Sequence, residues 1–199
     1  MSKLKEIYYF YKKKGLADTL RRLRSRIFSV TTFRVNICEL NSECEGITVD
    51  PEYKIIIDDL AALDQLRSEV EGLPREFYID RTHKAKRFYL LVHGKEPAYI
   101  HWVFGKGEYS RFCKIQDDVT VELQYGYTMP SFRGKRLVAK ALNYTCNDLR
   151  KKGFKRVINV VSEGNVSCHR GMEFSGLKEY TKVKSYFSYV KKVTIPRYK

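Results

Sequence analysis

No run of 18 or more apolar residues occurs in the 199-residue sequence, so no helix of it is expected to span a bilayer. Ile7 to Tyr11 is apolar, but it is short and lysines follow at once, so a signal peptide is not expected. There is no C-x-x-C pair. The five cysteines (Cys38, Cys44, Cys113, Cys146, Cys168) are odd in number and scattered, which argues against a disulfide framework or a zinc site and for reduced thiols in an intracellular protein. Four histidines form no H-E-x-x-H or comparable pair, so no metal centre is expected. Internal repeats and low-complexity linkers are missing too. Acidic residues are in deficit: 23 Asp and Glu face 38 Lys and Arg, a net charge of +15. That balance favours polyanionic partners such as nucleic acid, an anionic membrane surface or an acidic protein. Nucleic acid is the least supported of these, because the basic arm lacks the aromatic-interleaved motifs of RNA-binding domains.

What is present fits one ordinary domain with a terminal appendage: 43% hydrophobic residues, enough to bury a core. Residues 1–35 hold ten bases and two acids. Within residues 1–30, two helical pieces are predicted, broken near Gly15. Leu4, Ile7, Tyr8 and Tyr11 form an apolar stripe on the first, and Leu16, Leu20, Leu23 and Ile27 on the second, with Arg21, Arg22, Arg24 and Arg26 beside it. Such an arm either lies on an anionic membrane face or docks its stripe on the domain; both readings stand. The corresponding location is cytoplasmic, peripheral at the membrane in the first case.

The remainder, 31–199, reads as α+β. Phe33–Leu40 and Ile47–Ile57 are β-rich, and the polar link between them suggests a hairpin. Asp58 or Asp59 caps a helix over Leu60–Val70, which Gly72 and Pro74 end. A basic loop, Asp80–Arg87, precedes a hairpin, Phe88–Val92 and Pro97–Phe104. A β-rich run, Val119–Thr128, then stops at Pro130. Behind Gly134 a helix carries Leu137, Ala141, Leu142, Thr145 and Leu149 on one side, and Lys151, Lys152 and Gly153 close it. A short strand (Arg156–Val161), a short helix (Asn165–Glu173) and a final strand pair (Leu177–Val193) complete the order.

The stretch Tyr127–Gly134 is the chemically suggestive one. A strand ending in a tight turn before an amphipathic helix aims backbone N–H groups and the positive helix end at one point, a natural seat for phosphate. The N–H groups of Gly134, Lys135, Arg136, Leu137 and Val138 would form it, with Arg133, Lys135 and Arg136 adding charge.

With these residues the second half resembles the GNAT acetyltransferase superfamily. Arg133-Gly-Lys-Arg-Leu-Val138 occupies the place of the family's [Q/R]-x-x-G-x-[G/A] loop. Asn165-Val-Ser-Cys168, with Gly176-Leu177 after it, looks like the N-x-x-[A/S] and G-F signature, and the hairpin around His93-Gly94 matches the second and third strands. The resemblance covers about residues 45 to 190. Arg136 and Val138 stand at glycine positions of that loop, and Met172 stands where many members place a tyrosine acid; a thioether donates no proton.

The resemblance implies a GNAT-like fold, a central mixed and mostly antiparallel sheet flanked by helices, and direct acyl transfer from acetyl-CoA or another acyl-CoA to an amine. It also implies that backbone N–H groups near Thr128 and Met129 polarise the thioester carbonyl, and that Asn165 with Ser167 or Cys168 meets the pantetheine arm. Asn165 is equally a helix cap. Glu122, a carboxylate within a strand, is the first candidate for general base, against a solvent-facing or ion-paired role; His101 and Tyr125 follow. The acceptor is a small-molecule or peptide amine. An acyl carrier protein is a second donor: such carriers are acidic, and their phosphopantetheine lacks the adenosine pyrophosphate. A third reading is a non-catalytic module binding nucleic acid or lipid head groups.

Overall fold

A computed structural model describes Lys12 and residues 30–44, 47–186 and 189–198; the helical arm expected over 1–30 lies, apart from Lys12 and Val30, outside them. In chain order the elements are β1 (Val30–Glu39), β2 (Tyr53–Ile57), α1 (Leu60–Glu69), a 3-10 turn (Arg75–Tyr78), α2 (Ile79–His83), β3 (Arg87–His93), β4 (Glu96–Phe104), β5 (Cys113–Lys114), β6 (Thr120–Thr128), a 3-10 turn (Pro130–Phe132), α3 (Leu137–Lys151), β7 (Arg156–Ser162), α4 (Val166–Glu173), β8 (Lys178–Tyr186), β9 (Tyr189–Val190) and β10 (Val193–Thr194).

Eight of these strands form one sheet in the order β2-β3-β4-β6-β7-β1-β8-β9, antiparallel at every seam except β6–β7; β5 and β10 make a small parallel ribbon apart from it. The α+β class and the mixed, mostly antiparallel sheet flanked by helices are as expected, but two local readings are corrected. The first two strands are not a hairpin: β1 sits between β7 and β8, whereas β2 is on the far edge beside β3. The first residues of the supposed basic loop, 80–83, belong to helix α2, because Phe77 and Ile79 are buried and pull the segment onto the sheet.

Helix α3 owes its place to its apolar stripe. Leu137, Ala141, Leu142, Thr145 and Leu149 are all buried, and Leu142, Cys146 and Leu149 pack with Val121, Leu123 and Val157 of the sheet. Burying each leucine contributes about 1.5–3 kcal/mol. On the opposite face α1 and the turn after it cover Phe88, Leu90, Trp102 and Phe104, and Asp59 caps α1 by accepting from the Ala62 N–H at 2.9 Å. Trp102 donates its indole N–H to the Glu76 carbonyl (2.7 Å), which ties the 3-10 turn to β4. The sheet is thus covered on both sides; at β6–β7, the parallel seam among the described strands, α3 lies on one face and the β5–β10 ribbon packs against Ile158 on the other.

Candidate active site

The parallel seam is short. β6 and β7 are in register from Thr120–Arg156 to Leu123–Asn159 and pair no further, although both strands continue. At the last rung the Asn159 side-chain amide donates to the Leu123 carbonyl (2.9 Å), ending the ladder, while its Oδ1 is buried without a partner among the described residues. Beyond this fork β6 is irregular: Tyr125 has φ +54° and the register against β4 shifts. Met129 donates its N–H to the Ala98 carbonyl of β4 (2.9 Å). Successive N–H groups of a strand point to alternate sides, so the Thr128 N–H points away from β4, into the fork. Of the two backbone donors expected near the strand end, Met129 is therefore committed to the sheet and Thr128 is directed at the gap.

Helix α3 begins beside that gap. Gly134 has φ +80° and Arg136, the N-cap, has φ +57°, so two left-handed residues turn the chain sharply into the helix. No side chain caps this end, and the first helical bond is Lys140 N–H to the Arg136 carbonyl. The N–H groups of Leu137, Val138 and Ala139 consequently have no partner within the helix. The exposed bases of the loop pack on aromatic rings: Arg133 over Tyr127, Lys135 over Phe132 and Arg136 over Phe174. Val138 turns toward α4, where a Cβ on Gly171 would stand 3.0 Å from its Cγ1. The two side chains at the family's glycine positions thus pack toward α4 and its end.

Asn165 is the N-cap of α4. Its Oδ1 accepts from the Cys168 N–H (3.2 Å) and from the Ser167 hydroxyl (3.1 Å). This is its helix-capping role, and it leaves the amide NH2 to face outward chemistry. Burial pushes the half-buried Cys168 thiol up to about 11. Met172, at the position of the missing tyrosine, is buried and receives the Asn36 amide at its sulfur (3.7 Å).

A phenol that sequence reasoning overlooked stands nearby. Tyr99, on β4, is almost wholly buried, and its hydroxyl lies 3.1 Å from where a Cβ of Gly126 would be. Only a glycine there leaves the ring room beside β6. Burial raises the pKa of the hydroxyl. The signal available in the sequence was a glycine inside a β-rich run, a mark of close approach.

Comparison with known proteins follows this geometry. No family model matches the sequence, and no curated protein matches it. Solved structures do. A GCN5-related N-acetyltransferase from Sphaerobacter thermophilus superposes with a TM-score of 0.56 at 10% identity, over 92% of this chain and 59% of its own. A GNAT-family acetyltransferase from Colwellia psychrerythraea gives 0.53 at 12%, over 86% and 61%. A glucosamine N-acetyltransferase region of a fungal multi-domain GH3 β-N-acetylglucosaminidase gives 0.56 at 7%, over 84% and 22%. The chain has a GNAT-like fold. It spans about three fifths of the length of the first two of these structures.

The other face of the GNAT-like sheet carries Glu122. Its register partners are Phe104 and Ile158. It is fully buried, and neither carboxylate oxygen has a geometric hydrogen-bond partner among the described residues. Burial raises its pKa to about 7; the nearby Ser110 hydroxyl, Lys192 and Gln124 offset part of that rise. Ser110 accepts from the Cys113 N–H (2.9 Å), which leaves its hydroxyl proton to turn elsewhere. Farther along the strand the Tyr125 hydroxyl and His83 Nε2 are 2.9 Å apart, and His83 stacks on Tyr109 at 4.0 Å. Burial lowers the His83 pKa, so its imidazole is neutral at neutral pH. Glu122 and Tyr125 therefore share this face, with His83, Tyr109 and Ser110 as neighbours; Tyr109 and Ser110, from linking sequence, carried no signal in the residues alone.

His101 is elsewhere. It points to α3, stacks on Tyr89 at 5.3 Å, and its Nε2 lies 3.1 Å from the Thr145 hydroxyl. Burial lowers its pKa to about 3. A wholly buried imidazole between sheet and helix is kept neutral and away from the face that holds Glu122 and Tyr125.

Proposed function

We propose that this chain is an acyltransferase that moves an acetyl or other acyl group from a CoA thioester to an amine. The observation that carries the reading is the fork between β6 and β7, opening onto the uncapped start of α3. The residues present fit such a donor: an anion seat with Arg133, Lys135 and Arg136 around it, a buried acceptor at Asn159 that a pantetheine amide N–H would satisfy, and a free Thr128 N–H. The thioester, when bound, supplies an activated acyl carbon.

The chain's residues then have distinct tasks. Leu137, Val138 and Ala139 N–H groups bind the pyrophosphate at the positive helix end. Asn165, with Ser167 and Cys168, borders the pantetheine arm. The Thr128 N–H donates to the carbonyl oxygen, where negative charge develops as the amine nitrogen attacks. As the new C–N bond forms and the C–S bond breaks, the amine's proton leaves toward the Glu122 face and the departing sulfur takes one from the Tyr99 hydroxyl; after the thiol leaves, solvent returns a proton to Tyr99 and removes the one held by Glu122. Glu122 is too deep to touch the amine and has no hydrogen-bond partner among the described residues, so water would have to carry the proton to it from the Tyr125–His83 pair, which is nearer the surface.

A carrier-protein donor remains a second reading, suited by the net charge of +15. The packing of Arg136 on Phe174 and of Val138 toward α4 favours CoA, because neither covers the helix N–H groups. The test is thiol release from acetyl-CoA in the presence of an amine panel spanning amino sugars, polyamines, amino acids and peptides. Amine-dependent release is expected, falling at least a hundredfold in Glu122→Gln with CoA affinity kept. Release that is equal in the variant, or that occurs only with an acylated carrier protein, contradicts this assignment.

A further inference from the structure

Three of the scattered cysteines meet. Cys38 at the end of β1, Cys44 in the loop after it and Cys146 on α3 bring their sulfurs within 4.8 Å of one another. No C-x-x-C spacing announced this, because the fold rather than the sequence makes the cluster. We propose that Cys38, Cys44 and Cys146 bind one thiophilic d10 cation, Zn2+, on the side of the sheet that carries α3.

The surroundings are built for three ligands rather than assembled by chance contact. Asn147, next to Cys146, clamps the peptide of Cys44 from both sides: its Oδ1 accepts from the Cys44 N–H (2.8 Å) and its amide donates to the Cys44 carbonyl (3.2 Å). One turn on, Arg150 pairs with Glu43 at 3.9 Å. The loop bearing Cys44 is thereby pinned to α3 at successive positions, which fixes its sulfur beside the other two. Three thiolates around a tetrahedral ion at about 2.3 Å stand about 3.8 Å apart, a small contraction from the observed spread. Cys38 and Cys146 are buried and Cys44 is half-buried, so the ion would enter from the Cys44 side, with a water as its fourth ligand.

Charge is balanced as well. Three thiolates on a divalent ion carry a net negative charge, and the buried Arg150 Nε, which has no partner among the described residues, stands near Cys44 to meet it. A disulfide would use only two of the three sulfurs. Each thiol that binds gives up its proton, so metal uptake releases protons. Because β1, the loop and α3 are joined at this point, the ion would stabilise the junction of N-terminal strand and central helix, independently of any acyl donor.

The experiment uses the reduced full-length chain titrated with Co2+ and then Zn2+. One equivalent of Co2+ should produce a thiolate charge-transfer band that one equivalent of Zn2+ abolishes, and Zn2+ should raise the melting temperature by several degrees. Cys44→Ala, at a half-exposed position, should weaken binding at least tenfold and remove the thermal shift, whereas Cys168→Ser should keep both; Cys44→Ser serves if the alanine variant melts early. Absence of the band in the wild type, binding by Cys44→Ala as tight as wild type, or a disulfide joining two of the three in protein purified without reductant would each overturn the site.

Discussion

At Glu122 the chemistry and the stability make opposite demands: folding favours the protonated carboxyl, transfer the ionised one. Its folded pKa of about 7 lies above the ordinary 4.5 because burial penalises the carboxylate. The unfolded chain therefore releases this proton first, and folding takes one up between those values. The group's contribution is fully present below about pH 4.5 and is lost as pH rises through about 7, at most about 3 kcal/mol. Glu122→Gln should thus melt higher than wild type near pH 8 and match it near pH 5; equal melting at both would place the carboxylate in water. The same titration sets an expected rise in transfer rate with pH through about 7, since only the ionised form accepts a proton. At Tyr99, replacement by Phe should lower kcat tenfold to a hundredfold with CoA affinity unchanged, as measured by pre-steady-state transfer. An unchanged kcat would remove the phenol from the reaction. Some of this was legible in the residues alone. A carboxylate within an apolar strand flags itself as costly, and so Glu122 was found. Tyr99 looks like any strand tyrosine, and its meaning comes only from what the fold sets beside it.

Elements were read better than their partners. The stripe of α3, the cap at Asp59 and the glycines ending helices are local signals, and local signals survive folding. Which strand pairs with which is not local: alternation in β1 says one face is buried, not that the strand crosses the sheet to lie between β7 and β8. Assuming that consecutive strands pair gave the false hairpin. The packing of α4 against α3 offers a test at this scale. Replacing a mid-helix glycine by alanine ordinarily gains about 1 kcal/mol. At Gly171 the new Cβ would meet Val138 Cγ1 at 3.0 Å and Cβ at 3.2 Å. Gly171→Ala should therefore gain nothing in a denaturant titration, and Gly171→Val should destabilise by more than 1 kcal/mol, of the order expected for overpacking. A clear gain in the alanine variant would mean that the two helices are loosely held. Asn165→Ala should cost about 1 kcal/mol as a lost cap, and should also weaken acyl-donor binding if its amide meets the arm.

For the whole molecule, charge and topology converge on the anion seat. A net charge of +15 acts at a distance, so binding of a polyanionic donor should weaken as salt rises, whereas packing against the pantetheine arm should not. Composition favours a polyanionic partner without saying where it would dock. The proposed seat is where strands part after four rungs and a helix starts uncapped beside them. Among the described residues no helix is long and apolar enough to cross a membrane. Calorimetric titration of the full-length chain with acetyl-CoA, beside Arg133→Ala and Arg136→Ala, tests the central claim most directly. One equivalent should bind, more weakly at higher salt and at least tenfold more weakly in the double variant. No heat with acetyl-CoA, while an acylated carrier protein or an anionic vesicle binds, would contradict it.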